Sequence, residues 1–367
     1  MNATQTKLQK IQRFDPDDVG KINGNLFGLP FNAEESEVVV IPAPWEVTVS
    51  YRSGTADGPE AVLMASPQLD LYDEQIPDAW KLGVAMLPLN PWVVETNGIT
   101  RRKSRACIEF LENGGDAHEA DRLFGRTIND ACEEFRQWMF RTATEWLNKN
   151  KLVGVLGGEH SVPLGLVQAL AERYDSFGVL QIDAHADLRE RYTGFDYSHA
   201  SIAHNVAQIK NVEKIVQVGI RDYCRSEADY IARSGGRILA FTDRELKRAL
   251  FEGETYAAIC NRIVEALPKY VYLSFDIDGL HPSLCPNTGT PVPGGLLFEE
   301  SVYLIRRVVE SGRTIVGFDL CEVGGENDWD AIVGARLLYQ IANLAALSQG
   351  RFPSVPKPAL AAAASAE

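Results

Sequence analysis

The chain has 367 residues, of which 45% are hydrophobic and 23% charged, with a mean hydropathy of −0.14; this is the composition of an ordinary globular protein. A formal net charge of −14 argues against a nucleic-acid surface, which needs clustered Lys and Arg, and suits a small cationic ligand. No run approaches the length of a membrane span, the N-terminus "MNATQTKLQKIQRFDPDD" lacks the apolar core of an export signal, and six scattered cysteines form no CxxC pair; the expectation is a cytoplasmic protein with reduced thiols and neither membrane nor nucleic-acid partner.

In chain order, residues 1–36 read as an irregular N-terminal arm. A first Val/Ile-rich strand, "EVVVIPAP", starts at Glu37. A helical insertion follows at about 88–150, where Leu123, Ile128, Phe135, Trp138, Met139 and Trp146 recur at roughly helical spacing and predict a core-packing helix. Strands then recur as "KLVGVLGG" from Lys151, "FGVLQIDAH" from Phe177, "EKIVQVGIRD" from Glu213, "KYVYLSFDID" from Lys269 and "RTIVGFDLCEV" from Arg313. Between them "PLGLVQALAERY", "ETYAAICNRIVEAL" and "EESVYLIRRVVES" have amphipathic helical spacing. This alternation predicts one α/β domain over 37–350, a three-layer α/β/α architecture with a mainly parallel sheet, followed by a flexible tail at 351–367.

The chemistry concentrates at strand ends. "QIDAHADLR" sets Asp183, His185 and Asp187 at alternate positions, so all three share one face. "VLGGEHS" places His160 just beyond its strand, and "SFDIDGLHP" places Asp276 and Asp278 two apart. In a parallel sheet the carboxyl ends of strands are where binding crevices form. A lone D-x-D or G-G-E-H is more often a turn or a helix cap, whereas Asp183-x-His185-x-Asp187 is already unusual, and six such side chains at three strand ends point to metal. Four carboxylates exceed what a single catalytic ion needs and suit two ions about 3.5 Å apart. Oxygen-rich ligation favours Mn²⁺, with Ni²⁺, Co²⁺ and Fe²⁺ open. His199, on the loop leaving Asp187, is placed to shuttle a proton, and Glu322, ending the last strand, to hold a cationic group. Cys321 needs no role beyond packing.

"GGEHS", "DAHADLR", "SFDIDGLHPS" with "TGTPVPGGL", "FDLCEV" and the earlier "SYRSGTADGPEAVLMAS" resemble, in order, the signature segments of the ureohydrolase (arginase and agmatinase) superfamily, over about Val38 to Leu347. The resemblance implies an arginase-like fold and a binuclear manganese centre. One ion would be held by His160, Asp183, Asp187 and Asp276, the other by Asp183, His185, Asp276 and Asp278. Asp187 would orient the water that attacks a guanidinium carbon, His199 would carry protons, Glu322 would bind the guanidinium, and urea and an amine would leave. The loop after Asp187 resembles agmatinases more than arginases, implying agmatine as substrate and putrescine as product. A trimer or hexamer is also implied.

The sequence departs from the family pattern at Glu159, where Asp is common, at His281, where Asp is usual, and at Gly324 and Gly325, where proline is frequent. Guanidine, guanidinobutyrate and arginine therefore stay open as substrates. Hydrolysis of formiminoglutamate on the same scaffold is a further reading, in which Arg189 and Arg191 could meet the substrate carboxylates. A non-catalytic scaffold would lack a ligand or the shuttle, and none of the eight positions is missing.

Overall fold

The computed structural model describes residues 3–325 and 328–352. Eight strands form one sheet: β1 (Val38–Ala43), β2 (Val84–Met86), β3 (Leu152–Gly157), β4 (Phe177–Ile182), β5 (Val212–Ile220), β6 (Ile238–Thr242), β7 (Tyr270–Phe275) and β8 (Thr314–Leu320). Their order is β2-β1-β3-β8-β7-β4-β5-β6, and all seven pairings are parallel. Parallel strands need crossovers, and the helices that provide them cover both faces, so β1, β3 and β4 are buried along their whole length.

Alternation divides each strand between two cores. Val38 and Val40 join Leu180, Ile182 and Phe275 on one face, beneath the helices Tyr256–Glu265, Phe298–Glu310 and Asp328–Ser348. Val39 and Ile41 join Val153, Val155 and Val179 on the other, beneath Arg126–Asn148 and Leu164–Ala171. The two strands that the sequence did not disclose, β2 and β6, are the sheet edges. β2 has only three residues, and four of the five residues of β6 are only half-buried, so neither is the fully buried strand of a sheet centre.

Four expectations change. The arm is not irregular: Ala3–Arg13 is a helix, Lys10 pairs with Glu35 at 2.6 Å, and Leu26, Leu29 and Phe31 are fully buried in the core. The insertion begins with a helix of its own, Pro91–Glu112, whose Asn90 cap accepts from the Trp92 amide. Leu123 leaves the predicted core face and is 49% exposed, because it sits in a π-turn at Asp121–Gly125 that shifts the helical phase before Ile128. Finally, Asp328–Ser348 is long and apolar enough to cross a membrane, but 72% of its apolar window is buried inside the fold, where Tyr339 Oη donates to the Leu71 carbonyl. It is a core helix, buried on most of its surface, with Ile332, Arg336 and Gln340 on a half-buried stripe. Of the predicted tail, Phe352 is buried and Arg351 pairs with Glu37 at 3.0 Å; the remainder lies outside the described residues.

Candidate metal centre and active site

Because β3, β8, β7 and β4 are neighbours and parallel, their carboxyl ends open on the same rim. His160 lies three residues beyond β3, Asp183 one beyond β4, Asp276 one beyond β7 and Glu322 two beyond β8. The structure brings these candidates together. His160 Nδ1 is 3.0 Å from Asp183, 3.2 Å from Asp276 and 3.5 Å from Asp187. His185 Nδ1 is 3.0 Å from Asp278 and 3.6 Å from Asp183. Two groups with ligand atoms within 4.8 Å of one another result, His160–Asp183–Asp276 and Asp183–His185–Asp278, sharing Asp183.

Local backbone shape serves this convergence. Asp187 and Glu322 hold φ of 51° and 63°, a region that non-glycine residues enter at a cost and that clusters at functional sites. At Gly279 a Cβ would stand 2.7 Å from the Asp183 amide nitrogen, so only glycine lets the β7 loop come this close. Asp183 accepts from the Gln181 side chain, which in turn accepts from Gln217. On the far side of the His160 ring, Nε2 meets Ser274 Oγ at 2.8 Å and Asp319 at 3.5 Å. Asp319 and Cys321 also form a close group with His160 on that side.

The electrostatics are unbalanced as they stand. Burial, reinforced by Asp278 and Asp183, pushes the Asp276 carboxyl well above its ordinary range. Burial and Asp183 bring Asp187 up to about 7, and burial with Glu159 and Asp278 raises Glu322. Asp183 runs the other way: burial opposes ionisation, but His160 and His185 overcome it and hold the group low. Both imidazoles are raised by the carboxylates against the opposing effect of burial. A buried, oxygen-rich group of four carboxylates with two imidazoles is expensive without added positive charge. Two divalent ions fit that donor set by charge and by ligand type.

A cavity of about 280 Å³ opens above this group, lined by His185, Asp187, His199, Arg189, Tyr192 and Asp222 among others. Desolvation, with His185 and Arg101 nearby, lowers His199 to about 3. Arg189 lies 4.8 Å above the Tyr192 ring and 4.0 Å from Glu227, and Arg191 is paired at the surface with Asp196 and Asp121. His281 is exposed and bonds Ser283, apart from the ligand groups. Glu322 Oε1 accepts from the His160 amide.

Sequence reading missed the residues behind the site. Gln181, Gln217, Ser274 and Asp319 are buried polar positions within the apolar runs of their strands, and that mismatch was the available signal. Thr48, which meets both Glu159 and His199, carried no signal.

The family model described as the arginase family matches residues 36–343. Among curated proteins, the chain is 34% identical over 319 residues to an N(1)-aminopropylagmatine ureohydrolase of Thermus thermophilus, covering 86% of this chain and 93% of that protein. It is 28% identical to an agmatinase of Bacillus anthracis, covering 79% and 84%. Among solved structures, the agmatine ureohydrolase of Thermoplasma volcanium superposes with a TM-score of 0.67 at 21% identity, covering 94% of this chain and 99% of that one.

Proposed function

The chain belongs to the arginase family, and from that premise we propose that it releases urea from a linear guanidino amine, agmatine or its N(1)-aminopropyl extension, leaving putrescine or the longer polyamine. The class is a hydrolase of amidino C–N bonds that depends on a binuclear metal centre. The observation that carries the substrate reading is the cavity wall. Asp222, Tyr192 and Tyr223 line it, while its arginine, Arg189, is already stacked on Tyr192 and close to Glu227. Such a wall suits an ammonium group and offers little to a carboxylate, which disfavours arginine, guanidinobutyrate and formiminoglutamate. The names borne by the relatives support both amines.

His160, Asp183, Asp187 and Asp276 would hold one ion, and Asp183, His185, Asp276 and Asp278 the other, most simply Mn²⁺, with Ni²⁺ the alternative. When bound, the pair supplies a water made nucleophilic at neutral pH and offsets the carboxylate charge. The chain's own groups then divide the work. Glu322, fixed by the His160 amide, pairs with the planar guanidinium and aims its carbon at the metal side of the cavity. Asp187, in its strained turn, orients the attacking water. His199, kept neutral by desolvation, takes up a proton as water adds to the guanidinium carbon and passes it to the leaving amine nitrogen as the C–N bond breaks. Six free thiols among the described residues support a cytoplasmic setting; a trimer or hexamer is part of this reading and is checked by light scattering.

The test is urea release from agmatine, N(1)-aminopropylagmatine, arginine, guanidinobutyrate and guanidine by protein loaded with Mn²⁺ or Ni²⁺. The two amines should give the highest kcat/KM. Silence on both, with turnover of arginine or guanidinobutyrate, would overturn the substrate assignment.

A further inference from the structure

Glu159 departs from the aspartate usual at its place, and the mechanism above gives it no work. It is fully buried, fixed by its amide donating to the Trp45 carbonyl at 2.8 Å, and its side chain points towards the loop after β1. There Oε1 accepts from Ser161 Oγ at 2.6 Å. Its Oε2 takes two hydrogen bonds from one residue, the Thr48 amide at 2.7 Å and the Thr48 hydroxyl at 2.9 Å. Thr48, itself fully buried, faces His199 on its other side. Its Oγ1 accepts from the His199 amide at 3.0 Å and lies 3.2 Å from His199 Nδ1.

A hydroxyl has one hydrogen and two lone pairs. Glu159, whose oxygens also accept from Ser161 Oγ and the Thr48 amide, takes the hydrogen. One lone pair receives the His199 amide, and the other is left facing Nδ1. The hydrogen between Thr48 and His199 must then sit on Nδ1. Ser198 Oγ, which accepts from the Ala200 amide, keeps a hydrogen that competes for Nδ1, but at 3.4 Å it lies farther from that nitrogen than Thr48 Oγ1 at 3.2 Å, which favours Thr48 as the partner that sets the tautomer. Tyr192 closes the opposite side edge-on, with ring centroids 6.1 Å apart.

We infer that Thr48, braced by Glu159, is a positioning residue that fixes the ring orientation and tautomer of His199, so that Nε2 is the nitrogen presented to the substrate. The inference rests on the hydrolase reading for its catalytic meaning, but the tautomer itself can be measured without turnover.

The experiment uses full-length protein labelled with ¹⁵N-histidine and loaded with Zn²⁺, in which long-range ¹H–¹⁵N correlations report which nitrogen of each imidazole carries hydrogen. His199→Ala identifies the resonance. Wild type should show hydrogen on Nδ1 of residue 199, Thr48→Ser should keep that signature, and Thr48→Val should lose it. Hydrogen on Nε2 in wild type, or an unchanged signature in Thr48→Val, overturns the inference. In urea release, Thr48→Val should lower kcat roughly tenfold or more with KM within about twofold, Thr48→Ser should recover most of it, and Thr48→Val should cost nothing further in the His199→Ala background. An equal loss in that background means general structural damage and sinks the positioning role. If Thr48→Val does not fold, Glu159→Asp withdraws the carboxylate and should also lose the Nδ1 signature; retention would again overturn it. A wild type silent on every guanidino substrate would defeat the hydrolase reading, while the correlations would still decide this one.

Discussion

His160 Nε2 lies 2.8 Å from Ser274 Oγ, on the side of the ring opposite Asp183 and Asp276. The two nitrogens of an imidazole are coupled: a hydrogen on Nε2, directed at Ser274 and Asp319, leaves the Nδ1 lone pair free for an ion. Ser274→Ala removes one of these partners without touching a ligand. It should weaken metal binding by about tenfold or more while leaving the fold intact, as measured by metal titration; unchanged affinity would assign the orienting role to Asp319 alone.

Asp276 sits where both proposed ligand sets meet. Without ions, burial and the neighbouring carboxylates hold it well above its ordinary pKa, so a neutral amide of the same shape costs the metal-free fold little. Asp276→Asn should therefore melt no lower than the metal-free wild type but lose the rise in Tm that metal gives the wild type by mass action. Urea release should fall to background. A variant that still gains Tm with Mn²⁺ and still turns over would remove Asp276 from the centre.

A linked expectation concerns pH. Asp187 is raised to about 7 and Asp276 is also raised, while His160 and His185 are raised by their carboxylate neighbours. All four groups must give up any bound proton before they can act as ligands, so loading releases protons and affinity rises with pH. Calorimetric titration of Mn²⁺ into metal-free protein, in buffers of different ionisation enthalpy, should show net proton release and tighter binding at about pH 8 than at about pH 6. Proton uptake would contradict this.

How much of this was legible beforehand follows from the physics of each element. Central strands β3, β4, β7 and β8 are buried on both faces, so their apolar runs and the ligands at their ends stood out in the sequence. Edge strands β2 and β6 carry apolar runs of only three and four residues, Val84–Met86 and Ile238–Phe241, too short to stand out. The ligand motifs were readable because strand alternation and parallel topology dictate where they go. The bonds from Thr48 to His199 and from Ser274 to His160 join residues 151 and 114 positions apart, and no local pattern encodes them. The Asp328–Ser348 helix was overlooked because Arg336, Gln340 and Asn343 interrupt its apolar pattern, although most of the helix is buried.

Glu322 combines a positive φ of 63° with a hydrogen bond from the His160 amide. Glu322→Gln retains an oxygen for that amide, so the backbone should stay in place, but loses the charge that pairs with a guanidinium. A charge-assisted hydrogen bond contributes roughly 1.5–3 kcal/mol, which corresponds to about a ten- to hundredfold fall in kcat/KM. Metal content measured alongside the kinetics separates the two roles: a full metal complement with reduced kcat/KM supports substrate binding, whereas metal loss would make Glu322 a structural support of the centre.

Phe31 tests whether the N-terminal segment is part of the folded core. Its ring is fully buried and stacks on Trp80, with centroids 6.4 Å apart and planes within 15°. Lys7 Nζ lies 5.5 Å from the ring centroid, which ties the first helix to the same spot. Truncating a fully buried phenylalanine removes its transfer free energy and leaves a cavity, a loss of about 3–5 kcal/mol. Phe31→Ala should lower unfolding stability by about that amount in denaturant titration. Because Phe31 lies in the segment ahead of β1 and the site is at the carboxyl rim, kcat below the melting transition should change little. If stability fell by less than about 1 kcal/mol, the segment would be an appendage resting on the fold, and the arm reading drawn from the sequence would return.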